Sequence, residues 1–196
     1  MERNSAVSSQ TASRKTILNI TLIALFGALT AGGNFIAIPF PGSPVPIALQ
    51  NMFALLSGLI LGPLLGGAAV GLFLLAGVLG APVFAGATGG FARFLGPTGG
   101  FLIGYLLAAI VAGLVAGRPS SRHTTPVWRI GIAAFAGMAA VYIPGVIWLK
   151  FVLDDTWLGA IGKGFLPFII GDGIKGIAAG IIAPRLRRVV ADNLDG

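Results

Sequence analysis

Between Phe165 and Ala183 the chain is apolar apart from one carboxylate and one ammonium, Asp172 and Lys175, set in Gly171-Asp172-Gly173-Ile174-Lys175-Gly176. A charge near the middle of a membrane helix costs about 2.5 to 3.5 kcal/mol on insertion scales, so two of them need a compensating role. Three residues apart on a helix, they share one face about a turn from each other and can point together into one cavity. A helix carrying this pair has to be packed among others.

Composition places that helix in a bilayer. The chain is 56% hydrophobic and only 10% charged, a balance made by bilayer-spanning segments rather than by a soluble domain. Its 31 glycines, too many for helix interiors in water, fit membrane helices in close approach. The absence of cysteine excludes a disulfide framework, a thiolate metal site and thiol catalysis, and the single histidine makes no metal cluster by itself. The formal charge of +7 comes without a basic stripe interleaved with aromatics. Lysine and arginine sit mostly at the ends of apolar runs, where they set orientation rather than bind nucleic acid.

Taken in order, the pattern predicts an all-α integral membrane fold of six transmembrane helices with external loop lids. Residues 1–15 are polar and read as a cytoplasmic tail, 16–185 as the six-helix domain and 186–196 as a cytoplasmic C-terminal tail. Helix one is expected over 16–39. A cleaved signal peptide competes for this segment, but the apolar run exceeds the 7 to 15 residues of a signal core. Four prolines between Pro39 and Pro46 make an external loop with extended stretches. Helices two (47–61) and three (64–79) are joined by a tight turn at Gly62-Pro63. Residues 80–100, rich in glycine and proline, form a folded or lid-like loop, which is tolerated at membrane depth only where protein or water buries it. Helix four is expected over 101–116, helix five over 130–153 with an interruption at Pro144-Gly145, and helix six over 165–183 after a short loop.

Six spans put both termini on one side. Nine basic residues fall there (Arg3, Arg14, Lys15, Arg118, Arg122, Arg129, Arg185, Arg187 and Arg188). Four fall opposite (Arg93, Lys150, Lys163 and Lys175), completing the thirteen in the chain. The positive-inside rule then makes the termini cytoplasmic. The Pro-rich loop, the Gly-rich loop and the approach to Asp172 all face outward, which describes an outward-facing pocket in a bacterial inner-membrane, multi-pass protein.

Several motifs together carry a resemblance: Pro44-Val-Pro46-Ile-Ala-Leu-Gln50, Leu61-Gly-Pro63, Gly80-Ala-Pro82-Val-Phe84, Gly96-Pro97-Thr98-Gly99-Gly100-Phe101-Leu-Ile-Gly104, and Gly171-Asp172-x-x-Lys175. In this order and spacing the chain resembles the BioY family, the biotin-binding S-components of energy-coupling factor (ECF) transporters, from helix one to helix six. The resemblance implies a membrane subunit that binds biotin as transported ligand, with no cofactor. It also implies work with an ECF transmembrane coupling protein and two ABC-type ATPases. Uptake rather than enzyme catalysis is the implied task.

Biotin's ureido ring has two N–H donors and one carbonyl acceptor, so Asp172 beside Lys175 meets both kinds of group with charge-assisted hydrogen bonds. Its apolar rings and valeryl chain suit aromatic walls such as Phe84, Tyr142 and Trp148. Arg93, the one arginine expected outside, is a candidate for the tail carboxylate or the ring, and Gln50 lies at the same mouth. On helix one, Ala24 and Ala28 match the small-residue spacing that S-components present to the coupling protein. Bland roles stand beside these: a self-neutralising ion pair for Asp172 and Lys175, interfacial snorkelling for Arg93, membrane-belt packing for Tyr142 and Trp148, and a helix cap for Gln50. Gly96-Pro-Thr-Gly-Gly lacks the Gly-Lys-Ser/Thr ending of a phosphate loop, so the energy source lies in another chain. Other classes remain: an S-component for a different vitamin, a self-sufficient passive carrier, or an enzyme with Asp172 as base. The last is disfavoured because no second carboxylate, histidine or metal set lies close to Asp172 in sequence.

Overall fold

The computed structural model describes the backbone of residues 2–195 and the side chains of residues 13–194. It contains α1 (Glu2–Gly32), a 3-10 turn (Gly33–Phe35), β1 (Ala37–Ile38), β2 (Ile47–Ala48), α2 (Gln50–Val78) and α3 (Phe91–Leu95). The chain continues through α4 (Gly99–Ala116), α5 (Val127–Val152), α6 (Trp157–Gly164) and α7 (Ile169–Asp195). Among the described residues four segments are long and apolar enough to cross a membrane: Ser13–Phe35, Gln50–Val78, Gly99–Ala116 and Val127–Val152. α6 and α7, bent by 51° at their junction, make a fifth. The protein is a mostly helical, multi-pass membrane protein.

The turn expected at Gly62-Pro63 lies inside α2, where Gly62 leaves helical geometry with φ +80° and ψ −178°. Only glycine takes that backbone at little cost. A Cβ on Gly66 would come within 2.7 Å of Gly58 Cα. Eight residues of straight helix would separate these positions by about 12 Å, so the two arms of α2 fold back on each other. α4 packs on the first arm and on α5 through small residues. Ala109 abuts Gly58, and a Cβ on Gly104 would lie 2.9 Å from Val141 Cα.

Elsewhere the elements shift from expectation for identifiable reasons. The backbone is already helical from Glu2, ahead of the expected start at 16, and α7 continues to Asp195 through the basic segment expected as a tail. The prolines at 39–46 sit in a loop closed by the antiparallel pairing of Ala37 with Ala48 and Ile38 with Ile47, so helix two begins at Gln50 rather than 47. α5 runs without a break through Pro144. The short loop expected before helix six holds α6, whose first turn is capped by Thr156 Oγ1 accepting from the Gly159 amide at 3.0 Å. Asp155 secures this cap: it pairs with Lys163 at 2.8 Å and accepts from the Thr156 amide at 2.7 Å. Those two hydrogen bonds, the lysine's first, hold its carboxyl below the usual carboxylate range.

At the opposite end of the bundle, Ser13 and Arg14 of α1 line one hollow together with Asn193 of α7, so the described chain ends lie side by side. Near them Arg187, 4% exposed, donates to the carbonyls of Leu59, Ala116 and Gly117 and to Thr125 Oγ1. These carbonyls close the first arm of α2 and the end of α4, where unpaired acceptors and the negative helix ends collect. One guanidinium therefore ties three elements to α7. Arg187→Met keeps the apolar stem and deletes every donor. A charged hydrogen bond lost at a buried site costs about 1.5 to 3 kcal/mol, so the variant is expected to melt several degrees lower in detergent; an unchanged midpoint would contradict the clamp.

Candidate functional site

α7 begins at Ile169, so Asp172 lies in its first turn, where a carboxylate is stabilised by the helix dipole. The pair thus sits beside the α6–α7 break, not two turns down a helix starting at Phe165. Asp172 and Lys175 are 5% and 9% exposed and bonded at 2.8 Å. Each has further partners. Tyr142 Oη donates to Asp172 Oδ2 at 2.5 Å, and Lys175 Nζ donates to the Ala48 carbonyl at 2.7 Å and to Asn51 Oδ1 at 3.2 Å. All three ammonium protons therefore have acceptors, which offsets the cost of burying the charge.

This cluster faces a hollow of about 20 Å³, also lined by Val45, Pro46, Phe101 and Tyr105. The same four residues line a second hollow of about 30 Å³, whose far side carries Gln50, Phe84, Arg93 and Thr98. Val45 and Pro46 from the Pro-rich loop and Phe101 and Tyr105 from α4 thus form an apolar waist between two polar ends. Each hollow has room for about one or two waters, whereas a small-molecule pocket needs about 300 to 1,000 Å³. The waist has to open before a ligand larger than water enters. On its loop side the Val45 amide donates locally to Ser43 Oγ at 3.1 Å, while on the other side α4 is packed closely against α2 and α5.

Gln50 is fully buried. Its Nε2 donates to the Val83 carbonyl at 2.6 Å, and its Oε1 has no hydrogen-bond partner among the described residues. A buried acceptor left unmet costs about 1 to 3 kcal/mol, so this oxygen stands ready for a donor. Asn34 Nδ2 donates to the Pro82 carbonyl at 3.0 Å, so two amides fix the start of the Gly-rich loop. Arg93, exposed on α3, donates from Nε to Thr88 Oγ1 at 3.0 Å and faces the upper hollow.

The sequence candidates divide. Asp172, Lys175 and Tyr142 meet at the lower hollow, and Gln50, Phe84 and Arg93 meet at the upper one. Trp148 lines neither: its Nε1 donates to the Gly96 carbonyl at 2.9 Å, so it supports the loop from behind. Phe84 is mostly spent on packing, edge-on to Phe73 with centroids 5.6 Å apart. Ala24 and Ala28 lie exposed on α1, away from both hollows. Asn51, the Ala48 carbonyl, Thr98 and Tyr105 were not singled out in the sequence. Asn51 had one available signal: it is the polar neighbour of Gln50 at the start of an apolar run.

The sequence pattern of the BioY family matches residues 4–192. A probable biotin transporter BioY of Pyrococcus horikoshii is 41% identical, covering 86% of this chain and 95% of its own length. The biotin transporter BioY of Thermotoga maritima is 40% identical over 84% of this chain and 93% of its own. Among solved structures, the crystal structure of the S-component for biotin from an ECF-type ABC transporter superposes with a TM-score of 0.80. It is 35% identical and covers 88% of this chain and 92% of that one.

Trp148→Phe keeps the ring and removes only the donor to Gly96. The amides of Arg93, Gly96 and Gly99 are expected to exchange roughly fivefold faster, the equivalent of about 1 kcal/mol for one hydrogen bond. Unchanged exchange there would show that Trp148 does not hold the loop.

Proposed function

The chain belongs to the BioY family, a family of transporters rather than enzymes, and from that membership and the buried polar cluster we propose that it is the biotin-binding subunit of an ECF-type uptake system. One observation carries the ligand assignment: the ring of donors and acceptors formed by Asp172, Lys175, Asn51 and Tyr142 beside an apolar waist. A ureido group needs two acceptors for its N–H groups and donors for its carbonyl. The two oxygens of the Asp172 carboxylate serve as the acceptors and Lys175 as the donor, while the unmatched Gln50 Oε1 lies beyond the waist, beside the tail. The thioether ring then lies in the waist against Phe101 and Tyr105, and the tail carboxylate reaches Arg93 at the mouth. Ligand entry requires Val45 and Pro46 to swing away, which makes the Pro-rich loop the lid.

In the bilayer the fold-back within α2 adds one crossing, and α6 with α7 forms the last, which makes six. The basic end bearing Arg187 and the chain termini faces the cytoplasm by the positive-inside rule. The exposed Ala24 and Ala28 of α1 are the surface for the coupling protein, which links this subunit to two ABC-type ATPases.

Titration of the purified protein with biotin and with other vitamins tests the ligand: binding of biotin alone is expected, and preference for another vitamin would refute it. Asp172→Asn is expected to weaken biotin by about 1.5 to 3 kcal/mol, roughly 10- to 150-fold in Kd, whereas unchanged affinity would remove Asp172 from the site. Arg93→Ala is expected to weaken biotin at least tenfold and to leave biotin amide, which lacks the carboxylate, nearly unaffected. Equal losses for both ligands would move Arg93 away from the tail. A bulky residue at Ala24 or Ala28 is expected to abolish co-purification with the coupling protein and to leave biotin binding intact; normal co-purification would rule out this surface.

A further inference from the structure

An open groove of about 710 Å³ runs between α5 and α7 on the outside of the bundle. Its floor on α7 is made by Gly173, Gly176 and Gly180, facing Gly131, Ala134 and Met138 of α5. Glycines in membrane helices ordinarily let a neighbouring helix approach, as Gly58 and Gly104 do here. These do the opposite: beyond the backbone of its own helix turn, a Cβ added at Gly131, Gly173, Gly176 or Gly180 would meet nothing within 4 Å. The missing side chains keep a trough open rather than close a contact, and none of the described residues fills it. Its rims are the exposed Phe135, Ile177 and Ile181, which suit a hydrocarbon neighbour.

At the end near the chain termini the groove meets a polar hollow of about 320 Å³, with Val127 and Pro184 lining both. The hollow carries Arg187, Arg188 and His123 against a single carboxylate, Asp192, along with hydroxyls of Ser120 and Thr124. Arg187 is fully engaged with backbone and Thr125 oxygens and contributes its positive field, whereas Arg188 is exposed and has no ion pair among the described residues. Trp128, 67% exposed in the first turn of α5, marks this level as the membrane–water interface, where tryptophan anchors helices. Basic pockets between transmembrane helices at that level bind anionic head groups.

The geometry points to a resident anionic phospholipid, with one acyl chain in the α5–α7 trough and its phosphate in the hollow beside Arg188. A zwitterionic lipid fills the trough equally well but cancels its own attraction to the hollow. The upper end of the trough is lined by Tyr142, Phe165, Ile169 and Asp172 itself, so it reaches the residues of the ion-pair cluster.

Native mass spectrometry of the intact protein, released from micelles containing equal phosphatidylglycerol and phosphatidylcholine, tests this. One phosphatidylglycerol is expected to stay bound with at least tenfold preference. Arg188→Glu is expected to abolish the preference, and Gly180→Leu, which fills the trough, to abolish retention of both lipids. Biotin titration of each variant is expected to match the parent, which separates this inference from the ligand assignment. Equal retention of the two lipids by the parent, or retention by both variants like the parent's, would overturn it. So would a Gly180→Leu protein that keeps its lipid but no longer assembles with the coupling protein, since the trough would then be a seat for a partner helix. Should Gly180→Leu fail to fold, Arg188→Glu, on an exposed side chain, decides the question by itself.

Discussion

The ion pair between Asp172 and Lys175 is the interaction on which the rest of this structure depends. Two charges buried at membrane depth are unstable unless every proton and lone pair finds a partner. The fold supplies those partners from distant parts of the chain: the Ala48 carbonyl at the end of β2, Asn51 in the first turn of α2, and Tyr142 on α5. Holding them together requires the Pro-rich loop to close back on α2 and α7 to start beside it. The β1–β2 pairing and the α6–α7 break do this. The cluster is thus a structural knot as well as the proposed ligand floor. A ligand that offers an N–H to the carboxylate and a carbonyl to the ammonium replaces part of the pair's internal bonding without leaving either charge unpaired.

The opposite end of the bundle solves a similar problem differently. Arg187 is a single buried cation that takes neutral carbonyl oxygens and a hydroxyl as partners, at the negative ends of helices. One end of the protein therefore carries a neutralised pair with a small hollow next to it. The other carries a cation with no ion pair among the described residues, inside a rigid clamp. This asymmetry suits the proposed opening at the loop end, with the basic end held rigid by its clamp.

Much of this was legible in the sequence because membrane burial makes charge conspicuous. Asp172 and Lys175 stand out in an apolar run, Gly62-Pro63 marks a reversal, and the prolines at 39–46 cannot be helix. What was hidden is what only tertiary contact decides. Arg185, Arg187 and Arg188 look alike as a basic helix end, and nothing local says that the middle one is buried. Trp148 and Tyr142 both read as aromatic walls, yet one turns its N–H to a loop carbonyl and the other its hydroxyl to Asp172. Asn51 lies 124 residues from Lys175, a distance no local spacing rule spans. α6 has eight residues, too short to read by periodicity, so it looked like loop. The glycines of α7 carried a misleading signal, since small-residue spacing predicts close packing and the structure leaves them open.

The central claim is that the buried pair serves a ligand and not only itself. A structure of the protein with biotin bound tests it most directly. The ureido ring is expected within about 3 Å of both the Asp172 carboxylate and the Lys175 ammonium, with Val45 and Pro46 displaced to admit it. A biotin seated elsewhere, with the Asp172–Lys175–Asn51 cluster unchanged and the waist still closed, would contradict it.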